Sequence, residues 1–227
     1  MHPSAMHYFP VTPLFMVILG LILIAAIALI EVGAITYAYE KMGIQRRYVF
    51  SILLLSLLGS AINIPIGEFP GQEIRVDRVV SFFGVKYVVP AIEHQEGTIL
   101  AINLGGALIP LGLSIYLLVK NELYLKGGLA IVVVAVVTYL FAQPVKGVGI
   151  ALPPLVAPIA AVLTALAISR DRAAPLAYIA GSVGTLLGAD ILNLYRIQQL
   201  GAPFASIGGA GVGDGVFLAG IVAVLLA

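Results

Sequence analysis

The stretch that decides the fold class is AAPLAYIAGSVGTLLGADILNLY, residues 173–195, in which Asp190 is the only charged side chain. A bilayer core needs roughly 20 apolar residues per helix, so this run is long enough to cross one. The whole chain is 61% hydrophobic and 10% charged, whereas a soluble domain carries about 25% charged residues. So few charges cannot cover a water-facing surface, which predicts that lipid surrounds most of the chain.

Six further apolar stretches have a similar length, and none alternates polar and apolar residues as a membrane barrel strand does. The sequence therefore predicts an all-α polytopic membrane protein that forms a single transmembrane domain over residues 1–227. Its seven predicted spans are 11–39, 47–66, 97–119, 127–143, 147–169, 173–195 and 209–227.

The distribution of basic residues predicts the orientation of these spans. The loops 40–47, 120–126 and 170–172 together hold seven Lys and Arg residues, and they lie on one side if all seven spans cross. The positive-inside rule assigns that side to the cytoplasm. We therefore expect a multi-pass protein with its N-terminus outside and its C-terminus in the cytoplasm.

The long loop 67–96 differs from the other connections. Charges alternate with β-branched residues over 73–80, and a second β-branched stretch follows at 85–90. This pattern predicts a small extramembrane β-hairpin at the outer surface. The hairpin has two interpretations, a cap over the helix ends or a strand edge that an extended peptide joins.

Two segments resemble each other, Ala-Ile-Asn at 61–63 and Ala-Ile-Asn at 101–103, each followed by a proline. The simpler interpretation is a helix kink with an interhelical amide hydrogen bond. The alternative is a transport site between interrupted helices, as in transporters built from repeats.

Three carboxylates lie inside predicted spans, where ionisable side chains are costly and usually mark function. Glu31 lies near the inner end of the first span and is interpreted as structural. Asp190 and Asp214 are equidistant from Ala202, in the turn that joins the last two spans. Two antiparallel helices leaving that turn carry both residues at equal depth, so we expect a carboxylate pair.

A carboxylate pair in low dielectric cannot carry two charges, so its members share a proton. The ionised member can take a proton from a water that attacks a carbonyl, while the protonated member donates to the carbonyl oxygen. This chemistry needs no metal and no cofactor. Three scattered histidines and the absence of cysteine also argue against a zinc site.

The segment Gly211-Val212-Gly213-Asp214 resembles the Gly-x-Gly-Asp motif of the intramembrane aspartyl proteases, the group that includes presenilin and signal peptide peptidase. The resemblance covers about residues 188–227. It implies that Asp190 and Asp214 are the catalytic dyad of an aspartic endopeptidase, and that Gly211 and Gly213 shape the substrate site. The nearest counterpart of the group's Pro-Ala-Leu motif is Leu152-Pro153-Pro154, which the resemblance assigns to substrate binding.

The resemblance further implies a transmembrane peptide or protein as the substrate, with membrane lipid around the protein. A net charge of +1 without a basic tail argues against nucleic acid. The alternative function is a secondary transporter or ion-coupled carrier, in which the same aspartates bind protons or a cation. A non-catalytic protein whose aspartates hydrogen-bond across helices is a third interpretation.

Overall fold

A computed structural model describes residues 28, 31–82, 85–95, 97–145, 149–197, 204–209 and 215–227. Helices form over most of the apolar runs. Their bounds are 31–41 (α1), Arg46–Ser60 (α2), Ile109–Lys120 (α3), Tyr124–Phe141 (α4), Val156–Ile168 (α5), Ala173–Thr185 (α6), Leu194–Ile197 (α7) and Gly215–Leu226 (α8). The π-helical turn Leu104–Leu108 leads into α3, and a second π-helical turn, Leu186–Asp190, follows α6.

The turns α1–α2, α3–α4 and α5–α6 meet at one end of the helical bundle, which we call the charged end. Lys120 Nζ donates to the Gly43 carbonyl at 2.5 Å, and Arg172 Nη1 donates to Asn121 Oδ1 at 2.8 Å. Lys41 Nζ donates to the carbonyl of Val224, near the end of α8, at 3.3 Å. Successive helices therefore run in alternating directions.

A three-stranded sheet lies at the opposite end, the sheet end. Its strands are Asn63–Phe69 (β1), Thr98–Asn103 (β4) and Phe204–Ile207 (β7), in the order β1-β4-β7. The strand β4 pairs antiparallel with β1 and parallel with β7. A short hairpin of Gln143–Val145 (β5) and Gly149–Ala151 (β6) joins α4 to α5.

The predicted hairpin in the 67–96 loop is confirmed. Its strands are Gln72–Phe82 (β2) and Val85–Gln95 (β3), and their register runs from Gln72 opposite Gln95 to Phe82 opposite Val85. These strands form a two-stranded sheet separate from β1-β4-β7.

The prediction of an all-α protein with seven full-length spans is wrong. Within the described residues, two helices are long and apolar enough to cross a membrane, Tyr124–Phe141 and Arg170–Arg196. Shorter apolar helices cover Leu104–Lys120 and Val156–Ile168. The two long helices agree with the coarser prediction of a membrane protein.

The span boundaries failed because the apolar runs leave the helical conformation at the sheet end. The predicted span 97–119 begins with the strand Thr98–Asn103, and the predicted span 47–66 stops being helical at Ser60. Likewise, β6 lies near the start of the predicted span 147–169, and Gly209, the first residue of the predicted span 209–227, lies in a turn. Hydropathy is equally high in a buried strand and a buried helix, so it cannot separate the two. The predicted span 11–39 lies mostly outside the described residues.

The glycines of α6 and of the turn after it allow close helix contact, as the sequence pattern indicates. A Cβ on Gly181 would lie 3.1 Å from the carbonyl oxygen of Ala219 in α8. A Cβ on Gly188 would overlap Thr138 Oγ1 and the Ala135 carbonyl of α4. The glycines therefore place α6 between two neighbouring helices. An apolar 18-residue stretch of the helix Arg170–Arg196 is 72% buried inside the protein.

Candidate active site around Asp190

Asp190 is the last residue of the π-helical turn Leu186–Asp190, at the sheet end of the bundle. Its side chain is half-buried, and its Oδ2 accepts a hydrogen bond of 2.8 Å from the backbone N–H of Gly208. Gly208 directly follows β7. This bond therefore joins the carboxylate of one helix to the segment that leads into α8.

The π-helical turn changes which backbone groups are paired around Asp190. The helix continues as the 3₁₀ turn Ile191–Asn193 before returning to α geometry at Leu194. Asn193 is fully buried, and its Nδ2 donates to the carbonyls of Gly188 and Ala189 at 2.9 and 3.1 Å. Isolated π-helical turns inside α-helices occur frequently at functional sites.

The backbone of Gly208 lies against the start of the helix that follows β4. Gly208 has φ +81°, and a Cβ at this position would meet the Cβ of Ala107 at 2.6 Å. On the other side of the same contact, a Cβ on Gly106 would overlap the Gly208 carbonyl oxygen. Glycine at both positions lets the two backbones touch, and this contact holds the Gly208 N–H in front of Asp190.

An amide network joins the three strands beside this contact. Asn103 Nδ2 donates to Asn63 Oδ1 at 3.1 Å and to the Ser60 carbonyl at 2.8 Å. Asn103 Oδ1 accepts from the Gly106 N–H at 2.7 Å, which caps the π-helical turn after β4. Ser206 Oγ donates to Asn63 Oδ1 at 2.7 Å. The two asparagines therefore lie in strands and hydrogen-bond to each other, so the predicted helix kink with an interhelical bond is wrong.

The structure describes some of the predicted site residues and not others. Asp190 is described, whereas Asp214, Gly211 and Gly213 lie outside the described residues. The residue after Asp214, Gly215, begins α8. Glu31 is solvent- or lipid-exposed on α1.

The segment Leu152-Pro153-Pro154 joins β6 to α5, and Leu152 is half-buried while the two prolines are exposed. The strand β6 contacts the turn that carries Asp190. In addition, Ile150 of β6 packs on the buried cluster that contains Leu186. The segment therefore begins beside the Asp190 turn.

Sequence reasoning missed Asn193, Gly106 and the role of Gly208. The pair Gly208-Gly209 stands out as a glycine-rich start to the last predicted span, but its partner Gly106 is about 100 residues away in sequence. Nothing local to either segment indicates that the two backbones touch. Asn193 is one turn beyond Asp190 and is the only amide in its predicted span, which is the signal that could have identified it.

No group of three or more His, Cys, Asp or Glu side chains able to hold a metal ion occurs among the residues that the structure describes. Comparisons with curated proteins and with solved structures find no match for the chain. A protein-family model matches residues 57–226, a range that contains the three-stranded sheet, Asp190 and α8. The chain therefore belongs to the family DUF1614, which is described as a protein of unknown function.

Proposed function

We propose that the chain is an intramembrane aspartyl protease-like enzyme that hydrolyses peptide bonds of membrane-embedded substrates. Asp190 and Asp214 form the dyad, and a water between them is the nucleophile. The observation that carries the proposal is the 2.8 Å hydrogen bond from the Gly208 N–H to Asp190 Oδ2. It fixes the Asp190 carboxylate to a segment six residues before Asp214 in sequence.

The packing of α6 against α8 supports the proposed pairing. Gly181 contacts Ala219 and Gly220, while Tyr178 shares a buried cluster with Ile221 and Val224, so the two helices are antiparallel. At the sheet end, Leu186 and Val216 belong to one buried cluster. Leu186 is one turn from Asp190, and Val216 is two residues from Asp214.

The proposed reaction is a general acid–base hydrolysis. The ionised aspartate takes a proton from the water, the water oxygen bonds to the peptide carbonyl carbon, and the protonated aspartate donates to the carbonyl oxygen. The resulting gem-diol collapses: the C–N bond breaks, the amine leaves with a proton from an aspartate, and a carboxylic acid remains. The Gly208 N–H orients Asp190 during these steps because it occupies one lone pair of Oδ2.

For the substrate we propose a transmembrane peptide or protein. Gly211 and Gly213 allow its backbone to approach Asp214, and Leu152, Pro153 and Pro154 contact its side chains beside the Asp190 turn. Support for the second assignment comes from β6, which immediately precedes Leu152 and lies against that turn. Lipid is the surrounding partner.

We also propose that the chain is multi-pass, with the charged end in the cytoplasm. The loops with seven Lys and Arg residues meet at this end, and α8 finishes there. The C-terminus is then cytoplasmic, and the N-terminus lies outside. Because the chain has no cysteine, Arg170→Cys and Gly71→Cys can each be labelled with a membrane-impermeant maleimide. In sealed right-side-out vesicles, only Gly71→Cys should react.

The alternative is a transporter or ion-coupled carrier that uses the same aspartates. One observation favours it: Asn193 Oδ1 is buried one turn from Asp190 and has no hydrogen-bond partner among the residues that the structure describes, so it could accept from a cargo group. Against it, the Asn103 amide already hydrogen-bonds to Ser60, Asn63 and Gly106, so it is not free to bind a cargo.

Reconstitution separates the two functions. Purified protein in liposomes is mixed with a transmembrane peptide in H₂¹⁸O, and the products are analysed by mass spectrometry. The protease proposal predicts two fragments, with ¹⁸O in the new C-terminal carboxylate. A carrier predicts proton or substrate flux in the same liposomes without any peptide. Flux together with an uncleaved peptide would favour the carrier.

A further inference from the structure

Exposed tyrosines ring the charged end, and three of them lie beside a cation. Lys41 Nζ is 6.0 Å from the ring centroid of Tyr37, and Lys120 Nζ is 5.4 Å from that of Tyr116. The guanidinium of Arg47 lies 4.6 Å from the ring of Tyr48. We call these six residues the tyrosine–cation rim.

The rim has one consistent arrangement on two helices. In α1 and α3 the tyrosine precedes its lysine by four residues, and both helices end at the charged end. Four residues correspond to about 6 Å of helix rise, so each phenol lies one turn deeper than its ammonium group. Tyrosines favour the boundary between headgroups and acyl chains, while lysines extend from there toward the headgroups.

The surfaces behind the rim are apolar and exposed. Ile115 and Val119 on α3 expose 52% and 56% of their surface, and Phe50 and Leu54 on α2 expose 72% and 42%. In water such faces would be unfavourable, but acyl chains would cover them. The rim therefore lies where a membrane's headgroup layer begins.

The charge of the rim selects the kind of headgroup. In the part of the chain that the structure describes, the cation–carboxylate pair within 4 Å is Arg46 with Glu40, at 3.9 Å. No carboxylate of that part lies within 4 Å of Lys41, Arg47 or Lys120. Three cations that have no carboxylate partner among the described residues, each beside a tyrosine ring, suit a phosphate diester that keeps its net negative charge.

We propose that the tyrosine–cation rim is a binding surface for the headgroups of anionic phospholipids, such as phosphatidylglycerol. The inference rests on the proposed membrane insertion, but not on peptide hydrolysis. Basic residues near an anionic leaflet strengthen the association, and salt screens that attraction within a Debye length of about 10 Å at 0.1 M.

The test uses the full chain in vesicles that contain a trace of spin-labelled phosphatidylglycerol or spin-labelled phosphatidylcholine. Electron spin resonance gives the association of each lipid with the protein. We expect phosphatidylglycerol to associate two- to fivefold more strongly than phosphatidylcholine, and the ratio to fall toward one at 1 M salt. Flotation of the protein with the vesicles reports insertion separately, so loss of insertion is distinguishable from loss of headgroup preference.

The variants assign the preference to the rim. Lys41→Gln with Arg47→Gln and Lys120→Gln should bring the ratio close to one. Arg47→Gln alone should lower the ratio by about a third to a half. Because Arg47 lies at the exposed surface over Tyr48, this single variant should fold even if the triple variant does not. Arg170→Gln, a matched loss of charge at the same end outside the rim, should lower the ratio less than Arg47→Gln does.

Three results would overturn the inference. The first is a ratio near one in the parent protein that floats with the vesicles. The second is an unchanged ratio in both rim variants. The third is equal stabilisation of the detergent-solubilised protein by 10 mM inorganic phosphate and by phosphatidylglycerol, because it would assign the site to free phosphate rather than lipid.

Discussion

The backbone N–H of Gly208 donates to Oδ2 of Asp190 across 2.8 Å, and this bond joins two segments that are 18 residues apart in sequence. Gly208 can occupy its place because its φ of +81° and its contact with Ala107 both exclude a side chain. The candidate site is therefore held from two directions, by the helix that carries Asp190 and by the turn after β7.

Replacing Gly208 with alanine should disturb the site and the fold together. The new Cβ would meet the Cβ of Ala107 at 2.6 Å, and alanine disfavours positive φ. We expect a loss of about 1–3 kcal/mol in the free energy of unfolding, measured by denaturant titration in detergent micelles. The matched variant is Gly112→Ala in α3, where a Cβ meets nothing within 4 Å; it should be neutral or slightly stabilising. Equal effects of the two substitutions would contradict this role of Gly208.

The contact between α4 and the Asp190 turn depends on Gly188. A Cβ there would overlap the Thr138 hydroxyl and the Ala135 carbonyl, so the helices must separate. Gly188→Ala should therefore destabilise by about 1–3 kcal/mol and lower the midpoint of thermal unfolding. Gly128→Ala, on an open face of α4, is the control. An unchanged midpoint for Gly188→Ala would show that α4 does not need a glycine at this contact.

The strand network should make Asn103 more important than Asn63. Asn103 is fully buried and makes three hydrogen bonds, whereas Asn63 is exposed. Asn103→Ala leaves the buried Gly106 N–H unsatisfied, which costs about 1–3 kcal/mol. Asn63→Ala should cost less than half as much, because water or headgroups can replace its bonds. The comparison is made by chemical unfolding, and the reverse order would refute the network's asymmetry.

Asn193 should act as a positioning residue for Asp190. Its amide holds the carbonyls of Gly188 and Ala189, so Asn193→Ala should let the turn relax and release the Gly208 N–H. We expect faster hydrogen exchange in a peptide that contains Gly208, together with a lower kcat at nearly constant KM for peptide cleavage. Asn121→Ala, which removes an amide that bonds one turn back on α3, is the control. Unchanged exchange at Gly208 would rule out this positioning role whatever the activity.

Composition and the length of the apolar runs were enough to predict a membrane protein, and the β-branched residues between charges were enough to predict a hairpin in the 67–96 loop. They were not enough to set the helix ends, because the strand Thr98–Asn103 is as apolar as a helix. The repeated Ala-Ile-Asn segments contain two asparagines that hydrogen-bond to each other. That bond depends on the pairing of β1 with β4, and the bond from Gly208 to Asp190 depends on the pairing of β4 with β7. Such long-range pairings leave no local pattern.

The central claim is that Asp190 and Asp214 act together on a peptide bond, and the direct measurement is kcat/KM for cleavage of a transmembrane peptide by reconstituted protein. Asp190→Asn and Asp214→Asn should each lower it by about 10²–10⁴-fold, because each removes one proton-transfer group while keeping the side-chain shape. Asp171→Asn, in the exposed turn between α5 and α6, should match the parent. Cleavage within tenfold of the parent rate in either dyad variant would contradict the proposed dyad.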